Sequence, residues 1–430
     1  MTEYIYNLTD QKIYYKELEC GLKVYFIPNQ NQKHYYVNLS CIYGSCDVEY
    51  TSSITNQEVT SPLGIAHFLE HKVFEMPDGS DPFTFFSKTG TSVNAGTSYY
   101  STKFYMWGTE NLNENLEYFL NMIFHPSFTD KNILKEQGII IEEIKMYDDD
   151  PEWQLEDTIR NNLFHDSYVK EQISGSISSI KEITKENLYD AYKTFYQPNN
   201  MVMIIGGSFD HENTLDFLLN SNLINNLEKG KPIIRKEKEE RKTVKEEYKA
   251  LEANIIIPKL KYNFKIDTTN FTIKDKRLLN IYLNCIFSVL FGSISDFYEK
   301  VYFDELTTGY YYEHAYHGNY YILSIEAESD KADLFKEMVD ECLKNITITE
   351  EDINRQKKMW IASEIRLGDH IDVLVDGIQE ENMLYGSPNF ERVNFIKSLN
   401  KKELDQVIKE LDISNSSFVL MLPKKEFLER

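Results

Sequence analysis

His67-Phe68-Leu69-Glu70-His71 carries the sharpest chemistry in this 430-residue chain. On an α-helix, positions i and i+4 share a face, so both imidazoles can reach one ion. Glu70, three residues after His67, falls on the same side. Imidazole nitrogens are standard zinc ligands, and an unligated carboxylate beside them can take a proton from an attacking water. The order is H-x-x-E-H, the reverse of the commoner H-E-x-x-H. The apolar neighbours Ile65, Ala66, Phe68 and Leu69 argue against a freely solvated cluster.

A catalytic zinc site needs a third protein ligand and keeps one position open. The candidates lie in EQGIIIEEIKMYDDD, residues 136–150. Glu136 and Glu143 are seven residues apart, close to two helical turns, and share a face, whereas Glu142 is turned about 100° from Glu143. Ile139, Ile140 and Ile144 give the segment an apolar side. A half-buried glutamate beside isoleucine needs compensation, which a metal supplies. Glu143 is therefore the expected ligand, with Glu136 a supporting carboxylate or substrate contact nearby. Read alone, the segment would be an amphipathic helix with solvated acids; the paired histidines reverse that reading.

The elements that must hold these groups follow from hydrophobic period. Residues 22–44 and 91–107 alternate as strands, and 62–75 has helical spacing, with Ser61 as cap and Pro62 in the first turn. Helices are expected at 111–124, 130–147 and 182–194, and a strand at 201–207, MVMIIGG. The order of strands, helix, strands, several helices and a strand fits an α+β domain. Residues 228–249 are dense in both charges and read as a linker. Beyond it the grammar returns: strands at 250–268, an apolar helix at 277–292, a hairpin at 308–328, and helices at 330–345 and 350–366. The expected domains are 1–227 and 250–430, two copies of one fold, joined by 228–249.

Composition narrows the classes. With 46 Lys+Arg against 69 Asp+Glu the net charge is −23, which disfavours nucleic acid and anionic membrane and attracts cationic partners. Five cysteines without a CxxC do not form a disulfide framework. No signal peptide is visible and no apolar window reaches about 18 residues, so no membrane-spanning segment and a cytoplasmic location are expected. His34, His125, His165, His211 and His370 are isolated, and His314 and His317 fall on opposite faces of a strand. The paired glycines of MIIGGS lack any nucleotide-binding pattern.

HFLEH followed by E-x6-E, with Glu143 lying 72 residues after His71, resembles the inverted-zincin peptidases of the pitrilysin, insulysin and mitochondrial-processing-peptidase superfamily, family M16. The likeness continues through DGSDPFTFFSKTGTSVNAGTSYYST, EQGIIIEEIKMYDDDPEW and FYQPNNMVMIIGG, and is nearest to the short-chain, YfmH-like bacterial branch. It is strong over residues 20–210 and weaker afterwards. It implies two similar α/β-sandwich domains of the LuxS/MPP-like metallohydrolase type, each an antiparallel sheet packed with helices. It also implies one Zn2+ per chain on His67, His71 and Glu143. Glu70 matches the general base and Glu136 the supporting catalytic glutamate. Asn94 and Ala95 match the edge strand that takes substrate by strand addition.

The resemblance further implies a peptide substrate, cleaved inside a chamber formed by two such chains. One departure bears on the partner. The family commonly carries an Arg and a Tyr in F-x-x-V-R-E-x-x-G-L-x-Y, whereas this chain has FYEKVYFDELTTGYYYE. Tyr302 stands where Arg is expected, and Tyr310 or Tyr311 stands near the Tyr. A homologous partner supplying those groups, a heterodimer, is thus expected ahead of a homodimer. A non-catalytic scaffold subunit is the alternative, but such a chain would have lost Glu70 or a histidine.

Overall fold

A computed structural model describes residues 1–6 and 10–424. The chain divides into two compact units. The first contains residues 1–144, 172–237 and 363–392; the second contains 145–171, 238–362 and 393–430. Neither is contiguous, so the split expected at 228–249 differs from the observed one. That charged segment changes unit between Glu237 and Lys238, and each unit takes in one helical segment from the other half of the sequence.

Nine strands lie in the first unit: β1 (Thr2–Tyr6), β2 (Gln11–Glu17), β3 (Lys23–Pro28), β4 (Tyr35–Cys41), β5 (Glu49–Thr51), β6 (Glu58–Thr60), β7 (Ser92–Thr97), β8 (Thr102–Gly108) and β9 (Met201–Gly207). Seven form one sheet in the order β1-β2-β3-β9-β4-β8-β7, and β5 pairs with β6. All pairs in the large sheet are antiparallel except β3 with β9. The sheet is thus mixed, not purely antiparallel as the resemblance implied.

Both of its faces are covered. Val24, Phe26, Val37, Leu39, Met203 and Ile205 point into the larger core. Tyr25, Ile27, Tyr36, Val202 and Ile204 point the other way, onto Ile371, Leu374, Val375 and Ile378 of the helix Ile371–Tyr385. Two buried faces explain why these strands read as nearly continuous apolar runs. The glycines of MIIGG serve this packing, since a Cβ on Gly206 would meet Val375 and Ile371 at 2.6 and 2.7 Å.

In the second unit, β10 (Tyr248–Ala253), β11 (Lys259–Asp267), β12 (Tyr310–His317), β13 (Tyr320–Glu328) and β14 (Ser416–Pro423) form a sheet ordered β10-β14-β11-β13-β12. Its single parallel pair is β10 with β14. Placed beside β3-β9-β4-β8-β7, it has the same order, directions and chain sequence. The two units are therefore copies of one α/β fold, with β1 and β2 added to the first. The stretch Lys276–Phe303 is long and apolar enough to cross a membrane by length and composition, contrary to expectation. It breaks into the helices Lys276–Phe291 and Asp296–Phe303, and Leu279, Leu283, Ile286, Phe287 and Phe291 fill the second core.

Among the described residues seven α-helices lie between β6 and β9; the first five are α1 (Ile65–Val73), α2 (Pro82–Lys88), α3 (Leu112–Phe124), α4 (Asp130–Asp148) and α5 (Pro151–Leu163). α1 starts three residues later than Pro62 implied. Its N-cap is Gly64, with φ of +85°, while the Ser61 hydroxyl donates to the Val48 carbonyl instead. Gly64 is required twice over: its φ is left-handed, and a Cβ would meet the Ser174 carbonyl oxygen at 2.4 Å.

Gly64→Ala should therefore destabilise more than strain alone explains. Left-handed backbone at a non-glycine residue costs about 1–3 kcal/mol, and the clash adds to it. Gly79 has a φ of +76° but open space around it, so Gly79→Ala isolates the strain. Thermal unfolding of the two variants should show the larger fall in Tm for Gly64→Ala; equal falls would remove the close approach from the argument.

Candidate active site

α1 buries Ile65, Ala66, Phe68, Leu69 and Val73 against the sheet. That leaves His67, Glu70 and His71 together on its opposite, half-buried side. α4 presents Ile133, Glu136, Ile140 and Ile144 inward, which brings Glu143 to the edge of the same face. Ile139, counted on the apolar side from sequence, is 45% exposed, and Glu142 also faces outward.

The packing brings the expected ligands together. One donor atom each from His67, His71 and Glu143 lies within 4.8 Å of the others, the one such metal-competent group among the described residues. Glu143 Oε1 is 3.8 Å from His67 Nε2, and Glu143 Oε2 is 3.9 Å from His71 Nε2. Zinc bonds of about 2.0–2.2 Å in tetrahedral geometry set ligand atoms about 3.4 Å apart. The cluster is slightly wider than that, and two imidazoles with one carboxylate suit zinc. His71 Nδ1 donates to Glu136 Oε1 at 2.9 Å, which fixes the ring and leaves Nε2 for the ion.

Electrostatics agree with this division. Burial, then the neighbouring His71, hold His67 below the ordinary imidazole range, so it is neutral and able to bind metal at pH 7. Burial also works to lower His71, but the hydrogen bond and charge of Glu136, with Glu70 and Glu143, outweigh it and raise its pKa. The reciprocal contact holds Glu136 below the usual carboxylate range despite burial. Burial raises Glu70, against the pull of a hydrogen bond from Thr97.

Asn94 and Ala95 lie on β7, which pairs only with β8 and forms one edge of the sheet. α1 packs against β7, so that edge and the histidines are neighbours. Asn94 is exposed and Ala95 half-buried. Tyr302 ends the helix Asp296–Phe303 and is 71% exposed beside Phe303. Tyr310 donates to the Phe291 carbonyl at 2.8 Å, while Tyr311 is exposed. His314 stacks on Tyr321 and His317 meets Phe164 edge-on, each in a packing role. Sequence reasoning missed Thr97, whose hydroxyl reaches Glu70, and Lys72, which is fully buried and ion-paired with Glu75. Only the register of β7 and β8 could have pointed to Thr97.

Residues 56–190 match the insulinase (peptidase family M16) domain, and residues 182–359 match the peptidase M16 inactive domain. With the His-His-Glu donor set, this makes the chain a zinc-dependent metalloendopeptidase. Over 306 residues it is 35% identical to the "Uncharacterized zinc protease YmfH" of Bacillus subtilis (strain 168), covering 70% of this chain and 71% of that one. A crystal structure of an M16-like peptidase from Alicyclobacillus acidocaldarius superposes with a TM-score of 0.89 at 25% identity, over 96% and 98% of the two chains. Pitrilysin shares the fold at a TM-score of 0.76 and 13% identity, over 98% of this chain and 46% of that one. The chain belongs to the insulinase family, peptidase family M16.

Loss of a carboxylate behind a metal-binding histidine typically costs 10–100-fold in metal affinity or activity. Glu136→Gln should therefore weaken zinc retention by about that factor in a chelator competition, and His67→Ala with His71→Ala should abolish it. Full zinc content in the double variant would move the metal elsewhere.

Proposed function

We propose that the first unit binds one zinc per chain through His67, His71 and Glu143, with Glu136 behind His71, and hydrolyses peptides. A zinc ion held there polarises a scissile carbonyl and lowers the pKa of water. Glu70 accepts the proton of the attacking water and passes it to the leaving amine. Its place on the half-buried side of α1 with the two histidines, held by the Thr97 hydroxyl, is the observation that carries this reading. Asn94 and Ala95 offer the β7 edge to a substrate strand, whose backbone would pair there whatever its side chains.

The substrate class we infer is short or unfolded peptides, with cationic ones favoured by the net charge of −23. The second unit serves as the non-catalytic half, in the manner of the short-chain bacterial, YfmH-like branch with its LuxS/MPP-like domains. A homologous subunit would complete a two-chain chamber, and Tyr302, in place of an arginine, supports a heterodimer. A cytoplasmic site of action is supported by five free cysteines.

General acid–base catalysis contributes typically 10²–10⁴-fold, so Glu70→Gln should keep zinc but retain about 1% or less of activity. Glu142→Gln, on the exposed side, should stay near wild type. Cleavage of a mixed peptide library read by mass spectrometry checks both, and activity of Glu70→Gln within threefold of wild type would remove Glu70 from the mechanism.

The isolated chain should be a poor peptidase. An oxyanion site with one donor fewer loses on the order of 10²–10³ in rate. Adding the product of a neighbouring homologous gene should raise turnover, and changing that partner's corresponding arginine to alanine should cancel the gain. Full activity of the chain alone, with no gain from the neighbour, would refute the heterodimer.

A further inference from the structure

Glu70 has a partner on the sheet. Its Oε2 accepts a hydrogen bond from Thr97 Oγ1 at 2.7 Å. Thr97 is the last residue of β7 and pairs in register with Thr102 of β8. Thr102 is fully buried, and its own hydroxyl donates to the Tyr43 carbonyl at 2.9 Å. The turn that follows closes tightly: Ser98 N–H donates to the Ser101 carbonyl at 2.8 Å. It is tied down from outside as well, because Ser45 N–H reaches the Ser98 carbonyl and Cys46 N–H the Tyr99 carbonyl, both at 3.0 Å. Thr97 thus stands on the most constrained corner of the edge hairpin.

We propose that Thr97 is a positioning residue that fixes the Glu70 carboxylate and couples it to the substrate-accepting edge of β7. This rests on the reading of Glu70 as general base. A glutamate side chain has three rotatable bonds, and a proton acceptor needs its oxygen held within a fraction of an ångström. Thr97 Oγ1 holds Oε2, and the Thr97 backbone N–H also favours the charged carboxylate, so the group is fixed from one side. Thr97 lies two residues after Ala95 on the same strand. One rigid hairpin therefore sets both the backbone to which the peptide pairs and the base that acts on it. Ala95 and Thr97 are joined by covalent continuity, and the Thr97 hydroxyl carries that alignment to Glu70 on α1.

The test compares Thr97→Val, nearly isosteric but without the hydroxyl, with Thr97→Ser, which restores it. Thr97→Ala repeats the loss should valine disturb the hairpin. Zinc content, Tm and the affinity of the metal-free chain for a substrate peptide should stay at wild-type values in all three. For Thr97→Val and Thr97→Ala, kcat should fall at least about tenfold with KM within twofold, and Thr97→Ser should recover to within threefold. In the Glu70→Gln background, Thr97→Val should cause no further loss, since residues acting through one group are not additive. Affinity for a short peptide hydroxamate should follow the same pattern, weakening about tenfold only while Glu70 is present.

Wild-type kcat in Thr97→Val, a loss confined to KM or peptide affinity, or a loss fully additive with Glu70→Gln would each overturn the proposal. Should Glu70→Gln be inactive while Thr97→Val is normal, only the Thr97 inference fails. Should Glu70→Gln itself be active, the mechanism of the previous section fails first.

Discussion

Two imidazoles and three carboxylates occupy one half-buried corner between α1, α4 and β7, and burying so many ionisable groups is costly unless they compensate one another. The structure solves this by division of labour. Glu136 takes the proton-bearing side of His71, Thr97 takes one oxygen of Glu70, and Glu143 stands between the two Nε2 atoms. Everything that sets the register of α1 against α4 and β7 serves this arrangement. The Gly64 cap sets where α1 begins, the buried Ile133, Ile140 and Ile144 set the rotation of α4, and the β7–β8 hairpin sets the height of Thr97.

The second unit shows the same scaffold released from that constraint. In the first unit the helix entered from β4 and β6 carries HFLEH; its counterpart, Lys276–Phe291, contains no histidine and no acid. α4 and the helix Glu350–Leu367 begin with the same cap. Thr129 N–H bonds Asn132 Oδ1, and Thr349 N–H bonds Asp352 Oδ2, both at 2.8 Å. Counting from that cap, Glu136 corresponds to Gln356 in the second unit and Glu143 to Ser363, which opens the segment that returns to the first. Glu136 and Gln356 are each 6% exposed, so the buried polar position persists while its charge does not. An uncharged amide there cannot be the ionic acceptor that Glu136 is for His71. The match of this half to an inactive domain therefore has a physical basis in named residues.

Much of this was legible because local pattern and tertiary role coincide. The i, i+3, i+4 spacing of His67, Glu70 and His71 and the seven-residue spacing of Glu136 and Glu143 are properties of one helix each. The strand alternation of 22–44 and 201–207 likewise needs no partner to be read. What stayed hidden depends on distant chain. Ser61 and Pro62 looked like a helix start, but a close approach to Ser174 demands glycine at the cap, and only the folded backbone reveals that approach. The apolar length of Lys276–Phe303 was undercounted because its break at Gly292 and its polar face are punctuation a continuous-run reading ignores. α5 and Ile371–Tyr385 look like ordinary amphipathic helices, and nothing in their own sequences says which sheet will receive them. Thr97 and Glu70 are 27 residues apart on different element types, with no periodicity to link them.

Those two helices also make the polar ties within the units that receive them: Asp376 accepts from Tyr36 and Asn38, and α5 pairs with lysines of β11. α4 ends at Asp148, and three residues later α5 begins at Pro151, capped by Asp150. α5 belongs to the second unit, where Leu155 and Ile159 are buried and its acids meet the lysines of β11. Glu152 pairs with Lys259, and Glu156 with the almost fully buried Lys261, which also reaches Glu313 and Glu326 at 3.2 and 3.3 Å. A lysine that deeply buried is stable only when its carboxylates are in place, and removing one partner of such a pair typically costs about 3–5 kcal/mol. The helix after α4 is thus held by a buried ionic cluster within the second unit. α4 itself starts in the first unit and passes into the second at Lys145, so one continuous helix carries Glu143 and leads into α5.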